Sequence, residues 1–252
     1  METERFVSWA TTHPGNVRKY NEDALLDRPD LGLWAVADGA GGHARGDVAS
    51  RMAIETLDSI PPNLGAAEML VEVRQRIAET HSALQTMQDG HDISATTIVV
   101  LIARDAHYAC LWAGDSRAYL LRGDELTQLT RDHSLVQELV DESIISPEEA
   151  EGHPNSNIIT RAVGAEGDVE LDKVSDRLQA GDRFLLCSDG LCKELPATDL
   201  AELLAVRPPR SPTEHLVQAA LLHPARDNIT AVAIEILSAA ADNEEAGEAP
   251  TE

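Results

Sequence analysis

TTIVVLIARDAHYACLWAGDSRAYLL, residues 96–121, is where the fold can be read. It is rich in β-branched, aromatic and aliphatic residues and is broken twice, at Arg104-Asp105 and at Gly114-Asp115-Ser116-Arg117. That punctuation predicts strands over 96–103, 108–113 and 118–121 in an antiparallel meander. Upstream, the period becomes helical. Val48, Met52, Ala53 and Leu57 space a helix over 47–60 that stops at Pro61-Pro62, and Leu70, Val73, Ile77, His81 and Leu84 space another over 64–87. The apolar run 33–37 before them reads as a buried strand ending at Asp38.

Downstream, residues 132–182 are polar and mixed, with short helices expected at 133–141 and 147–151 as an excursion over one face. Strands follow at 183–187 and 229–237, with helices at 197–205 and 212–222. Strands, two helices, strands, two helices and a strand imply an α+β layered domain, expected over residues 1–238. Residues 239–252 carry Ala, Glu, Gly and Pro without a large apolar side chain, and an acidic, disordered tail is expected there.

The formal charge is −24, from 44 acidic and 20 basic residues in 252. It argues against nucleic acid or an anionic membrane as partner, since either needs a basic surface. Cys110, Cys187 and Cys192 are too few and too irregularly spaced for a disulfide framework or a zinc site, which fits a reducing, cytoplasmic compartment. The N-terminus lacks a basic segment followed by an apolar one, and the longest apolar stretch, 98–103, is far short of the ~20 residues that span a bilayer. Neither export by that route nor a membrane span is expected.

Four aspartates lie in short, turn-like settings: Asp23 in NED, Asp38 in ADGAGGH, Asp189 in CSDGL and Asp227 in RDNIT. The last three abut apolar runs, so each carboxylate is expected to project from a strand end into a common cleft, where clustered oxygens suit hard divalent cations. Gly39-Ala40-Gly41-Gly42-His43-Ala44 also matches the dinucleotide fingerprint. Asp38 argues against that use, because its carboxylate would face a pyrophosphate, and the acid expected ~20 positions on, Asp58, falls late in a helix. Read as a metal loop, the glycines let the chain turn so that the Asp38 carboxylate and the Gly39 carbonyl bind cations together. Taken alone, Asp-Gly after a strand is more commonly a plain turn.

The ordered set changes that balance. HPGNVRKYNEDA (13–24), VADGAGGHARGDVAS (36–50), SATTIVV (94–100), AGDSRAYL (113–120), LTRDHS (129–134), ITRAVG (159–164), LLCSDGLCKEL (185–195) and RDNITAV (226–232) resemble, in order and context, the motifs of bacterial PP2C-type (PPM) metal-dependent serine/threonine protein phosphatases. The resemblance implies a four-layer αββα sandwich with two central antiparallel sheets and a metal site at one edge. It implies that Asp38 bridges two Mn²⁺ or Mg²⁺ ions, that Asp189 and Asp227 complete the first, and that the Gly39 carbonyl serves the second. Asp23 would hold metal-bound water, and Asp115 would share a weaker third ion with Asp189. The reaction implied is attack on a phosphoserine or phosphothreonine by a metal-bridging hydroxide. Arg18 resembles the arginine that grips the substrate phosphate, and His43 would protonate the leaving oxygen.

Ala40 stands where relatives often carry Met, and Ala95 where they often carry Gly; neither is an expected ligand. Residues 132–164 match the variable flap of the family, so His133 and His153 are expected to cap or to lie at the surface rather than bind zinc. A phosphoprotein-binding pseudophosphatase is disfavoured because no metal aspartate is lost. Phosphatases of anti-sigma-factor antagonists generally carry sensor domains and sparser motifs. HPGNVRKYNEDALLDRPDLGLWAVADG (13–39) and LCKEL (191–195) look most like the small phosphatases of type VI secretion clusters, which oppose a kinase acting on a forkhead-associated protein. A monomer is expected.

Overall fold

The structure is a computed structural model that describes residues 5–41, 46–87, 94–206 and 211–237. The expected tail, 239–252, lies outside them. Two antiparallel sheets stack face to face. In the first, β1 (Arg5–His13) pairs along its whole length with β11 (Ile229–Leu237), followed by β10 (Arg183–Cys187), β7 (Arg117–Arg122) and β8 (Glu125–Gln128). In the second the order is β2 (Asp23–Arg28), β3 (Leu33–Gly41), β5 (Ile98–Arg104), β6 (His107–Ala113) and β9 (Asp172–Arg177), with β4 (Ser94–Thr96) joined to the far end of β3.

Helices α1 (Gly46–Asp58) and α2 (Ala66–Met87) cover the second sheet, and α6 (Ala197–Leu204) and α7 (Pro212–Leu221) cover the first. Strand β3 shows why this layering follows from the sequence. Trp34 and Val36 enter the core between the sheets, while Leu33, Ala35 and Ala37 enter the core beneath α1 and α2. A strand buried on both faces is apolar at every position, hence the unbroken run.

Three expectations change. The strand starting at residue 33 runs on to Gly41, so Asp38 lies within it rather than at its end, and residues 39–41 pair with β4 instead of turning away as a loop. Asp189 does not end a strand but opens α5 (Asp189–Cys192). Finally, the expected meander is not one sheet. β5 and β6 form a hairpin through Asp105 and Ala106, both at positive φ, but β7 pairs with β10 in the other sheet. The chain changes sheets at 114–116, and Gly114 makes this possible: at φ +113° it packs so closely on Thr97 that a Cβ would lie 2.6 Å from the threonine Cβ.

The crossover is braced by His133, which is buried rather than at the surface. Its ring stacks on Trp112 with centroids 6.1 Å apart, its Nδ1 accepts the Gly114 N–H (3.2 Å), and its Nε2 lies 3.2 Å from Asp172 Oδ2. An accepting Nδ1 places the proton on Nε2, and burial lowers the imidazole pKa, so the neutral ring is favoured. His153 is only half-buried. Helices form within the excursion at α3 (Leu135–Asp141) and α4 (Pro147–Glu151), the latter with a capping box between Ser146 and Glu149.

Gly114→Ala is expected to lower unfolding free energy in urea by about 3 kcal/mol, and Gly123→Ala, at φ +61° with open space around it, by about 1 kcal/mol. Equal losses would show that the close approach at Gly114 is not a constraint.

Candidate metal centre

Asp23, the first residue of β2, is registered directly opposite Asp38 in β3. Trp34, Val36 and Asp38 share the strand face turned toward the other sheet, so the stripe of the inter-sheet core ends in a carboxylate. Like charges placed opposite one another on a sheet repel, an arrangement that calls for a cation or for protons. The backbone at Asp38 is fixed on both sides. Its N–H donates to Thr97 Oγ1 (3.1 Å), and its carbonyl accepts from the Thr97 N–H (2.8 Å) and Thr96 Oγ1 (2.9 Å). Gly39 donates its N–H to the Glu22 carbonyl (3.2 Å) and lies against Gly46 of α1, where a Cβ would sit 2.2 Å from the Gly46 oxygen.

The first sheet supplies the opposite wall. Ser188 Oγ and Thr230 Oγ1 both donate to Asp23 Oδ2, at 2.8 and 2.7 Å, so one buried carboxylate oxygen ties the two sheets together. Asn228 folds the loop before β2 onto this wall: its Nδ2 donates to the carbonyls of Pro14 and Tyr20 (both 3.0 Å), and its Oδ1 accepts the Glu22 N–H (2.8 Å). That loop brings the half-exposed Arg18 guanidinium to 2.8 Å from Asp227 Oδ2. Asp227 Oδ1 accepts the Asn228 N–H at 2.9 Å.

Asp115, at the sheet crossover, is buried, and its carboxylate faces the Asp189 side. Lys193, one turn beyond Asp189, places its Nζ 2.5 Å from Asp189 Oδ2 and 4.0 Å from Asp115 Oδ2. A cleft of ≈ 570 Å³ opens beside this pair, walled by α3 and α4 residues such as Val136, Val140 and Pro147. The structure thus brings Asp23, Asp38, Gly39, Asp115, Asp189, Asp227 and Arg18 to one end of the sandwich; His43 lies outside the described residues. Lys193, Asn228, Ser188 and Thr230 were not foreseen. The last three lie within the quoted CSD and RDNIT segments, and that placement was the available signal.

Two oxygens decide what this arrangement suits. Asp23 Oδ1 and Asp189 Oδ1 are buried with no hydrogen-bond donor, while their sister oxygens are held by protein groups. Buried carboxylate oxygens are normally satisfied, so an all-oxygen set with open acceptors fits a hard divalent cation. Among the described residues no three carboxylates close into a single ready chelate; they line the walls of a shared cleft.

Burial and the neighbouring carboxylates push the Asp23 pKa up to about 7 against its two hydroxyl donors. Asp115 is pushed up to about 7 by burial and by the Asp189 charge, and Asp38 is held well above the usual carboxylate range by burial and by Asp23. With metal chelated by EDTA, these groups bind protons between about pH 4, where the unfolded carboxylates titrate, and pH 7. The folded state then holds more protons than the unfolded one, so stability falls as pH rises through that window. The melting temperature in EDTA is expected to drop between pH 5 and pH 7.5, with Asp23→Asn reducing the slope and Mn²⁺ restoring stability most at the higher pH. A melting temperature that is flat, or that rises with pH, would contradict this electrostatic picture.

Comparison with known proteins agrees with the geometry. The family described as Protein phosphatase 2C matches residues 16–222. The serine/threonine phosphatase stp of Listeria monocytogenes is 37% identical over 235 residues, covering 89% of this chain and 93% of its own. PppA, a key regulatory component of T6SS in Pseudomonas aeruginosa, superposes with a TM-score of 0.82 at 39% identity, over 92% of this chain and 98% of its own. The catalytic domain of the serine/threonine protein phosphatase PstP, solved in complex with two manganese ions, superposes with a TM-score of 0.80 at 33% identity, over 94% of this chain and 100% of its own. With two antiparallel sheets between helical layers and this carboxylate cleft at one end, the chain belongs to the protein phosphatase 2C family.

Proposed function

We propose that the protein hydrolyses phosphoserine and phosphothreonine in proteins with two Mn²⁺ or Mg²⁺ ions held by Asp38, Asp189, Asp227 and the Gly39 carbonyl, and that Asp115 and Asp189 share a weaker third. The observation that carries this reading is the meeting of carboxylates from both sheets at one cleft, two of their buried oxygens having no donor. The manganese-bound PstP domain supports the choice of ion. Such ions supply a nucleophilic water at neutral pH and screen the phosphoryl charge.

The chain's own groups do the rest. Asp23 is anchored through Oδ2 and presents Oδ1 as an acceptor that can orient water in the cleft. The Arg18 guanidinium, half-exposed at the rim and joined to Asp227 by one N–H, keeps donors for the two-pronged recognition of a phosphate. His43 follows the glycine run, from where it would protonate the departing serine or threonine oxygen.

The narrower setting is opposition to a serine/threonine kinase in type VI secretion, with a forkhead-associated protein as phosphoprotein substrate; the likeness to PppA supports it. The working form is read as a cytoplasmic monomer with one phosphatase domain over residues 1–238 and a flap at 132–164. No helix among the described residues is long and apolar enough to cross a membrane.

Protein stripped with EDTA should release phosphate from a phosphothreonine peptide only after Mn²⁺ or Mg²⁺ is added back. Asp38→Asn and Asp189→Asn should each lower that rate by about a hundredfold or more. Wild-type rates in either variant would refute the site. Arg18→Ala should raise KM about tenfold while leaving Mn²⁺ binding intact; unchanged kinetics on the peptide would remove Arg18 from phosphate recognition.

A further inference from the structure

Lys193 is a second cation, besides Arg18, in a site that collects carboxylates. It is the residue that ends α5, and its N–H bonds the Asp189 carbonyl (2.9 Å), so its side chain folds back over the first residue of its own helix. Three oxygens surround the ammonium: Asp189 Oδ2 at 2.5 Å, Asn157 Oδ1 at 2.9 Å and Asp115 Oδ2 at 4.0 Å. Asp189 comes from the start of α5, Asp115 from the crossover between sheets, and Asn157 from the segment after α4. One side chain therefore joins the catalytic wall to the flap.

We propose that the Lys193 ammonium is the resident counter-charge of the Asp115–Asp189 pair, that it turns the second Asp189 oxygen toward Asp38 and Asp23, and that it competes with a third divalent ion for that pair. This rests on the functional reading above and deepens it. A carboxylate has two oxygens, and in Asp189 they are divided: Oδ2 is held by the ammonium, and Oδ1 is buried with no donor. Lys193 is thus a positioning residue for one oxygen and an occupant for the other.

The competition follows from charge and distance. An ammonium within 4 Å of both carboxylates supplies much of the attraction a divalent ion would find there, and a dication cannot share that space without expelling it. The two acids and the Asn157 oxygen hold the ammonium in that place. Lys193 nevertheless remains about two-fifths exposed, so it can swing out to solvent when displaced. Its exit also removes the donor on Asn157, which makes filling the Asp115 place and tethering the segment after α4 mutually exclusive.

Mn²⁺ titration by calorimetry and by electron paramagnetic resonance of the full chain tests this, comparing wild type, Lys193→Met and Lys193→Gln, each with and without Asp115→Asn. Both lysine variants should tighten an Asp115-dependent Mn²⁺ step about tenfold or more, while Asp115→Asn should change the wild-type isotherm little. Lys193→Arg, which keeps the charge, should behave as wild type. Hydrogen exchange around residue 157 should rise with Mn²⁺ in the wild type and be raised already, without response to metal, in Lys193→Met. Isotherms of both lysine variants that superpose on wild type, with Asp38-dependent Mn²⁺ binding intact in all three, would overturn this proposal alone. Failure of the wild type to bind Mn²⁺ at all would overturn the functional reading and this proposal with it.

Discussion

The structure turns on one buried oxygen, Asp23 Oδ2. It belongs to the second sheet and accepts hydroxyl hydrogen bonds from Ser188, the residue that follows β10, and from Thr230 of β11 in the first. Hydrogen bonds to a charged acceptor are worth about 2 kcal/mol each, enough to offset part of the cost of burying the acid but not to leave it indifferent to its neighbours. This bond set closes the sandwich at the end where both sheets deliver carboxylates. At the other end of β2, Asp27 does a similar job with ordinary partners, accepting from Ser8 of β1 (2.6 Å) and from the Trp34 indole (3.0 Å). Both of these bonds fall on Asp27 Oδ1, and Asp27 is only half-buried, whereas the second oxygen of Asp23 is buried with no donor; that difference separates a structural acid from a functional one.

The sheet crossover gives the site its third side. Because Gly114 turns the chain from β6 into the other sheet, Asp115 falls between them instead of at a hairpin tip, and His133 and Trp112 hold that turn from beneath. The excursion from 132 to 164 is anchored near both its ends, by the Ser134–Ile159 bridge and by Thr96 pairing with Val163. His81 of α2 adds a clasp, accepting the Gly164 N–H at 2.9 Å and bonding the Gly167 carbonyl at the same distance. Between these anchors the segment touches the catalytic wall through Asn157 and Lys193, so its freedom is coupled to the charge state of the cleft.

Which parts could be read from the amino-acid string follows from burial. Strands covered on both faces show as apolar runs, unbroken over 98–103 and 184–187 and interrupted only by Thr230 and Glu235 over 229–237, and the long helices show their period. Strand β1 interleaves Ser8, Thr11 and Thr12 with its apolar residues and lies at a sheet edge, and β9 (DKVSDR) is an edge strand with only Val174 packed toward the inter-sheet core, so neither carries a run. The meander failed for a geometric reason: residues 114–117 look like a hairpin turn by composition, and only the packing of Gly114 on Thr97 shows that the chain changes sheets. The aspartates could be found because each sits in a short motif of glycine, asparagine or serine. Lys193 and Asn157 could not, because their meeting spans 36 residues and exists only once the flap is folded against α5.

Everything at this end of the sandwich depends on the carboxylate cleft's holding divalent ions. The most direct measurement is an anomalous difference map from a crystal grown with Mn²⁺. The account predicts peaks bounded by Asp38, Asp189 and Asp227, with the strongest touching the Asp38 carboxylate. A map with no peak in the cleft at saturating Mn²⁺, or with Mn²⁺ bound only at surface acids elsewhere, would contradict it.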